Sequence, residues 1–209
     1  PDGSFHLVGL HINHAHEGFI EATRWLMEER GKRIKKICDD LAGNGINVLL
    51  DEVLEEGGGE SLGRPHVARV LIRKGYARDM AEVFQNYMVK GRPGYVKKAK
   101  IAFQDAISLI NQSGGIPVVA HPVSLNFSSF RAFVPVIESM IDAGVRGIEV
   151  FASMHRDDEV EQFLEIAEMY GLAVSGGSDF HGDKQEELGY YGPGKLIPAD
   201  ILDPITRAR

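Results

Sequence analysis

Asp179 and His181 stand two residues apart in SGGSDFHGD (175–183), behind the apolar run LAVS. Residues i and i+2 of an extended segment point the same way, so an acid and an imidazole there can reach one ion. His121 closes IPVVAHP in a related manner: an apolar strand, then imidazole, then Pro122. His6 lies inside FHLVGL, where neighbours alternate across a strand. Each has a plainer reading as a satisfied core or rim residue. Together, three separated segments offer imidazole and carboxylate, a donor set suited to Zn²⁺, Mn²⁺ or Fe²⁺. Thiolate does not join this set, because Cys38 falls in a helical stretch among charges. Glu149, within GIEVF, has no clear assignment. HINHAHE (11–17) adds His11, His14 and His16, but it lies past a strand and runs into a helix. Exposed imidazoles at a helix start are expected there rather than catalysis.

GRPHVAR (63–69) raises a different chemistry. Arg64, His66 and Arg69 sit at the start of a helical pattern, with Pro65 in its first turn. A helix N-terminus beside guanidinium groups can hold an anion. An ordinary solvated helix start is the default for this stretch by itself. Arg92, Tyr95, Lys97 and Lys98 follow in GRPGYVKKAK (91–100), where a solvated basic face is the default.

These residues must be positioned by the elements around them. FHLVGLHI (5–12) predicts a buried strand, and apolar spacing predicts helix from Glu17 to Asp40, divided in two at Gly31. INVLLDEVL (46–54) fits a strand or a helix start, and EEGGGESLG (55–63) a loop. Short helices are expected over 66–75 and 79–88, the second capped by Asp79, and a long one over 97–115. Beyond that, IPVVAHP, RGIEVF and LAVS read as strands alternating with helices, which argues for βα units and a parallel sheet. Functional groups of such sheets gather at strand carboxyl ends, where His121, Asp179 and His181 fall. Residues 51–96 lack strands and read as a helical insertion; 1–50 and 97–209 carry the α/β part.

The chain has 209 residues, 44% hydrophobic and 25% charged, as expected of a globular protein. A net charge of −7 gives no global electrostatic case for nucleic-acid binding. Cys38 is the single cysteine, which excludes an intrachain disulfide and suits a reducing compartment such as the cytoplasm. No apolar run approaches the roughly 20 residues of a membrane span.

The order HLVGL, GRPH, GRPGYV, GGIPVVAHP, GIEVF and GLAVSGGSDFHG resembles the PHP family of metal-dependent phosphoesterases over nearly the whole chain, from about residue 5 to 192. It looks most like the branch that includes the tryptophan-operon-linked nucleotide phosphatase, which carries a helical insertion. The resemblance implies an α/β fold, the C-terminal part of a distorted (β/α)7 PHP barrel, with metals at the strand carboxyl ends. By resemblance His6, His121, Asp179 and His181 are metal ligands, and Arg64 and His66 contact the substrate phosphate. His181 or His66 protonates the leaving group. His155, in FASMHRDDE, also matches a histidine of the branch, either as a helix cap or as a group near the pocket. The implied cofactors are divalent ions of manganese, zinc or iron, which acidify water and neutralise phosphoryl charge. The implied substrate is a small phosphorylated one, a nucleotide or the end of a short oligonucleotide.

The sequence departs from the family at its start. The His-x-His strand and the aspartate, histidine and glutamate that follow it in the family have no counterpart before His6, and His11 and Asn13 replace a usual Phe and Asp. The chain reads as the C-terminal two-thirds or so of a PHP protein. Weak activity and self-association through uncovered strand faces are expected of such a piece. Two other functions compete: an amidohydrolase-like metal hydrolase, and a non-catalytic domain binding an anion or partner through GRPH. A strand lysine or a His-x-His strand would favour the amidohydrolase, and neither is found.

Overall fold

A computed structural model of the chain describes residues 4–59, 62–179 and 188–201. It divides into two compact units: Pro1–Phe19 with Ala102–Arg209, and Ile20–Ile101. The elements run β1 (Leu7–Leu10), α1 (Glu17–Ala42), α2 (Leu50–Gly57), α3 (Arg64–Arg73) and α4 (Met80–Val83), which passes into a π-helical turn at Phe84–Met88. Then come α5 (Phe103–Gln112), β2 (Ile116–Val119), α6 (Phe130–Asp142), β3 (Gly147–Ala152), α7 (Asp157–Tyr170) and β4 (Ala173–Gly177). A small hairpin, β5 (Tyr190–Gly192) and β6 (Lys195–Leu196), follows. No helix among the described residues is long and apolar enough to cross a membrane.

The first unit is built on a four-stranded sheet in the order β1-β2-β3-β4. β2, β3 and β4 are parallel, joined through α6 and α7 as the alternation of strand and helix predicted. β1 is antiparallel to β2, with Leu7 opposite Val119 and Leu10 opposite Ile116, a direction the sequence reading left open. The reason lies in its connection. β1 is separated from β2 by α1–α5 rather than by one crossover helix, so the rule that ties a βαβ unit to parallel strands does not bind it. Side chains alternate along the sheet. Val119, Ile148 and Val150 pack with Phe133 and Phe163 of α6 and α7, whereas Ile116, Val118 and Ala173 pack with Leu10.

The second unit is helical among its described residues, and its core joins Ile34, Ile37, Cys38 and Leu41 of α1 to Val53, Val67, Val70, Leu71, Val83 and Met88. It takes in α1 from Ile20 onward, so the compact helical unit is wider than the 51–96 insertion read from the sequence. α1 also runs unbroken through Gly31, where the sequence suggested two helices. A glycine in a helix interior costs about 1 kcal/mol. Ile34, Ile37 and Leu41, buried over the next three turns, each return about 1.5–3 kcal/mol, so continuity wins. INVLLDEVL resolves as the start of α2, with Leu49 N–H donating to the Glu52 carboxylate at 2.8 Å. Asp79 caps α4 by accepting from Glu82 N–H at 2.8 Å, as expected.

The long helix predicted over 97–115 is shorter, because α5 starts only at Phe103, where the apolar stripe Phe103, Ile107, Ile110 begins. Lys97 and Lys98 therefore lie outside any helix or strand. GRPGYV has a structural use: Gly94 N–H donates to the Tyr87 carbonyl at 2.7 Å, and a Cβ on Gly94 would stand 2.9 Å from that oxygen. Only glycine fits so close to backbone. The Cys38 thiol is buried, and burial pushes its pKa up to about 11, so it is a packing residue rather than a nucleophile.

Candidate active site

His6 and His121 meet at the edge of the sheet. His6 precedes β1, and its carbonyl accepts from Ala120 N–H at 3.1 Å, which extends the β1–β2 ladder by one residue. His121 follows β2 after one residue, Ala120. The two rings stand nearly perpendicular, with centroids 4.9 Å apart. His6 Nδ1 and His121 Nε2 are 3.1 Å apart.

The network behind His121 fixes its tautomer. Ser124 Oγ lies 2.9 Å from the Ser4 carbonyl and 2.9 Å from His121 Nδ1. A carbonyl can only accept, so the one hydroxyl proton goes to Ser4 and the hydroxyl accepts from His121 Nδ1–H. That leaves Nε2 of His121 with the lone pair, and it faces His6. Sequence reasoning missed Ser124, and nothing in AHPVSL distinguishes this serine from any other turn serine.

His121 takes an unusual backbone conformation, φ 27° and ψ 69°, and its N–H donates to Glu149 Oε2 at 2.7 Å. Glu149, from β3, is thus what holds the His121 backbone. Burial pushes the Glu149 carboxyl above the usual glutamate range, and the charge of Asp179 adds to this; the His121 N–H opposes it. Asp179 follows β4 and has φ 57°. A Cβ on Gly177 would lie 3.2 Å from Glu149 Oε1. The residues just past β2 and β4, with Glu149 reaching from within β3, thus bring His121, Glu149 and Asp179 together beside His6. His181 lies outside the described residues.

His155 is buried and packs on Phe163, ring centroids 4.9 Å apart. Its Nδ1 lies 2.7 Å from the Val150 carbonyl, so Nδ1 carries the proton and Nε2 the lone pair. Nε2 is buried with no partner among the described residues. Burial pushes this imidazole below its usual range, and His121 contributes to the lowering. His11 and His14 are exposed, and Ala15 N–H donates to Asn13 Oδ1 at 3.0 Å in the turn that leads into α1.

Arg64 and His66 belong to the helical unit. His66 is buried at the first turn of α3 and accepts from Gly63 N–H through Nδ1 at 3.0 Å, so its neutral form carries the proton on Nε2. The Arg64 guanidinium lies over the Phe84 ring, 5.1 Å from its centroid.

Among the described residues no three of His, Cys, Asp and Glu are gathered tightly enough to cage a cation. The donors present nevertheless fit a divalent ion. Metal-ligating histidines characteristically hold their other ring nitrogen with a hydrogen bond, as Ser124 does for His121. Removal of that support by Ser124→Ala is expected to weaken metal affinity by roughly 10–100-fold. Titration of metal into stripped protein checks this, and an unchanged affinity would make the Ser124 contact incidental.

No family model matches the chain. It is 32% identical over 209 residues to the 3',5'-nucleoside bisphosphate phosphatase of Chromobacterium violaceum, covering 97% of this chain and 69% of that protein. It is 31% identical over 176 residues to the 5'-3' exoribonuclease Rnm of Escherichia coli, 84% of this chain and 60% of that one. Among solved structures, a Chromobacterium violaceum chain described as an amidohydrolase with bound sulfate and no metal aligns with a TM-score of 0.72 and 30% identity. That alignment covers 100% of this chain and 74% of the other. A Bifidobacterium adolescentis chain provisionally described as a metal-dependent phosphoesterase aligns with a TM-score of 0.77 and 25% identity, over 99% of this chain and 72% of that one.

Proposed function

We propose, from the premise that this chain belongs to the PHP-family phosphoesterases that include the Chromobacterium violaceum 3',5'-nucleoside bisphosphate phosphatase, that it hydrolyses phosphate esters of nucleotides or of oligonucleotide ends. The observation that carries this reading is the His6–His121 pair, whose Nδ1 and Nε2 face each other 3.1 Å apart at the mouth of the sheet. We read the sheet as part of a distorted PHP barrel of the branch with a helical insertion, with 51–96 as that insertion.

In this reading His6, His121, Asp179 and His181 hold a divalent ion of manganese, zinc or iron. The ion, when bound, supplies positive charge to the phosphoryl oxygens and acidifies water. The remaining work falls to the chain. Ser124 keeps the His121 lone pair forward, and Glu149 keeps its backbone in place. Arg64 and His66 bind phosphate, His66 through Nε2–H, which its bond from Gly63 N–H leaves as the donor. His181 or His66 gives a proton to the leaving alkoxide.

The amidohydrolase description of one structural relative favours a second reading, amide hydrolysis. The described strands speak against it, since their one lysine is Lys195 in the outlying hairpin. The test gives purified protein Mn²⁺ with adenosine 3',5'-bisphosphate, a 5'-phosphorylated trinucleotide, or an N-acetyl amino acid. Metal-dependent release of phosphate or mononucleotide is expected. Acetate release without phosphate release would overturn the phosphoesterase reading.

A further inference from the structure

β3 carries an irregularity beside the site. Glu149 stands opposite Ser175 of β4, but the next pairs are Phe151 with Gly176 and Ala152 with Gly177. Val150 is therefore an extra residue, without a partner across the β3–β4 ladder. A bulge of this kind bends its strand and re-aims the side chains around it. The side chain just before it is Glu149, whose Oε2 accepts from His121 N–H at 2.7 Å. Its Oε1 lies against Gly177, where a Cβ would stand 3.2 Å away. The carboxylate is thus fitted between the residues that end β2 and β4, and a small rotation of β3 would part it from His121.

His121 needs that hold. At φ 27° and ψ 69° it lies outside the regions that a residue with a side chain prefers, and Pro122 after it disfavours the helical alternative. A backbone in such a conformation persists only where its surroundings determine it.

The bulge is itself held. Val150 has no exposed surface, so its carbonyl needs a donor. His155 supplies one through Nδ1–H at 2.7 Å. Two further contacts fix His155: its N–H donates to the Ala152 carbonyl at 3.0 Å, and its ring packs on Phe163 of α7. The contacts run in sequence from His155 to Val150, Glu149 and His121.

We propose that His155 is a positioning residue: its Nδ1–H pins the bulge at Val150, the bulge aims Glu149, and Glu149 holds His121 in the conformation that presents its Nε2. The role uses Nδ1 of His155 and leaves its Nε2 out. It deepens the phosphoesterase reading of the same site and rests on that reading for its effect on metal.

Substitutions can separate the two ring nitrogens. His155→Asn puts an amide N–H where Nδ1 stands, His155→Gln puts it nearer the place of Nε2, and His155→Leu packs without a donor. The His121 amide resonance and its hydrogen exchange are followed by NMR in stripped protein, and Mn²⁺ affinity by titration. His155→Leu and His155→Gln are expected to move the His121 resonance and speed its exchange. Both should weaken Mn²⁺ by roughly tenfold, the lower end of what loss of support behind a ligand costs. His155→Asn should keep the wild-type resonance and an Mn²⁺ affinity within about threefold, short of that range. An unmoved amide and wild-type affinity in both His155→Leu and His155→Gln would overturn the proposal and leave His155 a packing residue. His155→Asn impaired as much as His155→Gln would overturn it too, because ring shape rather than Nδ1–H would then matter. If His155→Leu does not fold, the contrast between His155→Asn and His155→Gln decides by the same criteria. A His121 amide that moves in His155→Gln and not in His155→Asn, in a protein that releases no phosphate, would sink the phosphoesterase reading and support this one.

Discussion

His121→Ala is expected to lose bound metal and to lower phosphate release by more than about a hundredfold, the upper end of what loss of a merely supporting contact costs. The argument is geometric. His121 offers the one ring nitrogen whose lone pair the network fixes, because Ser124 must donate to Ser4 and therefore accepts from Nδ1. Nothing else at the end of β2 replaces that nitrogen. The substitution is also mild for the fold. Position 121 already holds a side chain at φ 27°, and the N–H to Glu149 and the Ser124–Ser4 bond are formed without the imidazole. Elemental analysis, steady-state rates and a thermal melt on wild type and variant decide the matter. Metal retained at wild-type stoichiometry with activity within about threefold of wild type would show that His121 is a packing residue, and the proposed site would fail with it.

The legible part of the site was the part that ends strands. His121 and Asp179 stand out in the sequence because a polar residue closes an apolar run, and in the structure each stands two positions past the last residue of its strand, β2 or β4. The residues that hold them were silent. Glu149 reads as a polar interruption of GIEVF, and its bond to His121 N–H spans 28 positions of sequence. Ser124 acts through two partners, one of them 120 residues away. Pairings of this kind come from sheet register, which no local pattern carries.

The fold divides along the same line. Strands alternating with single helices were readable as parallel, because a crossover helix constrains direction. β1 was not, because the direction of a strand at the far side of a helical unit depends on tertiary packing. Gly31 misled for a related reason: local propensity suggested a break, and the burial of Ile34, Ile37, Cys38 and Leu41 overrode it. GRPGYV looked like a turn with basic neighbours. The structure separates its uses, with Gly94 serving close approach to Tyr87 and Lys98 lining a cleft.

Phe133→Ala is expected to cost about 3–5 kcal/mol of stability, the largest loss from one truncation in the α/β unit. Phe133 has no exposed surface and lies under β2 and β3. It stacks on Phe127 at 4.9 Å between centroids and meets Phe163 edge-on at 5.6 Å. Its removal takes away buried area and three aromatic contacts at once, those to Phe127, Phe130 and Phe163, and leaves a hole lined by rings that cannot collapse inward without leaving their own partners. One of those rings, Phe163, carries His155, and His155 is tied to the Val150 carbonyl one residue past Glu149. The damage should therefore reach the site. Urea denaturation measures the loss, and metal affinity of the folded variant measures its spread. Phe133→Leu should lose less on both counts, since it keeps most of the apolar volume. A loss below about 1 kcal/mol for Phe133→Ala would mean that α6 closes over the gap, and that the aromatic cluster is not what seats the helices on the sheet.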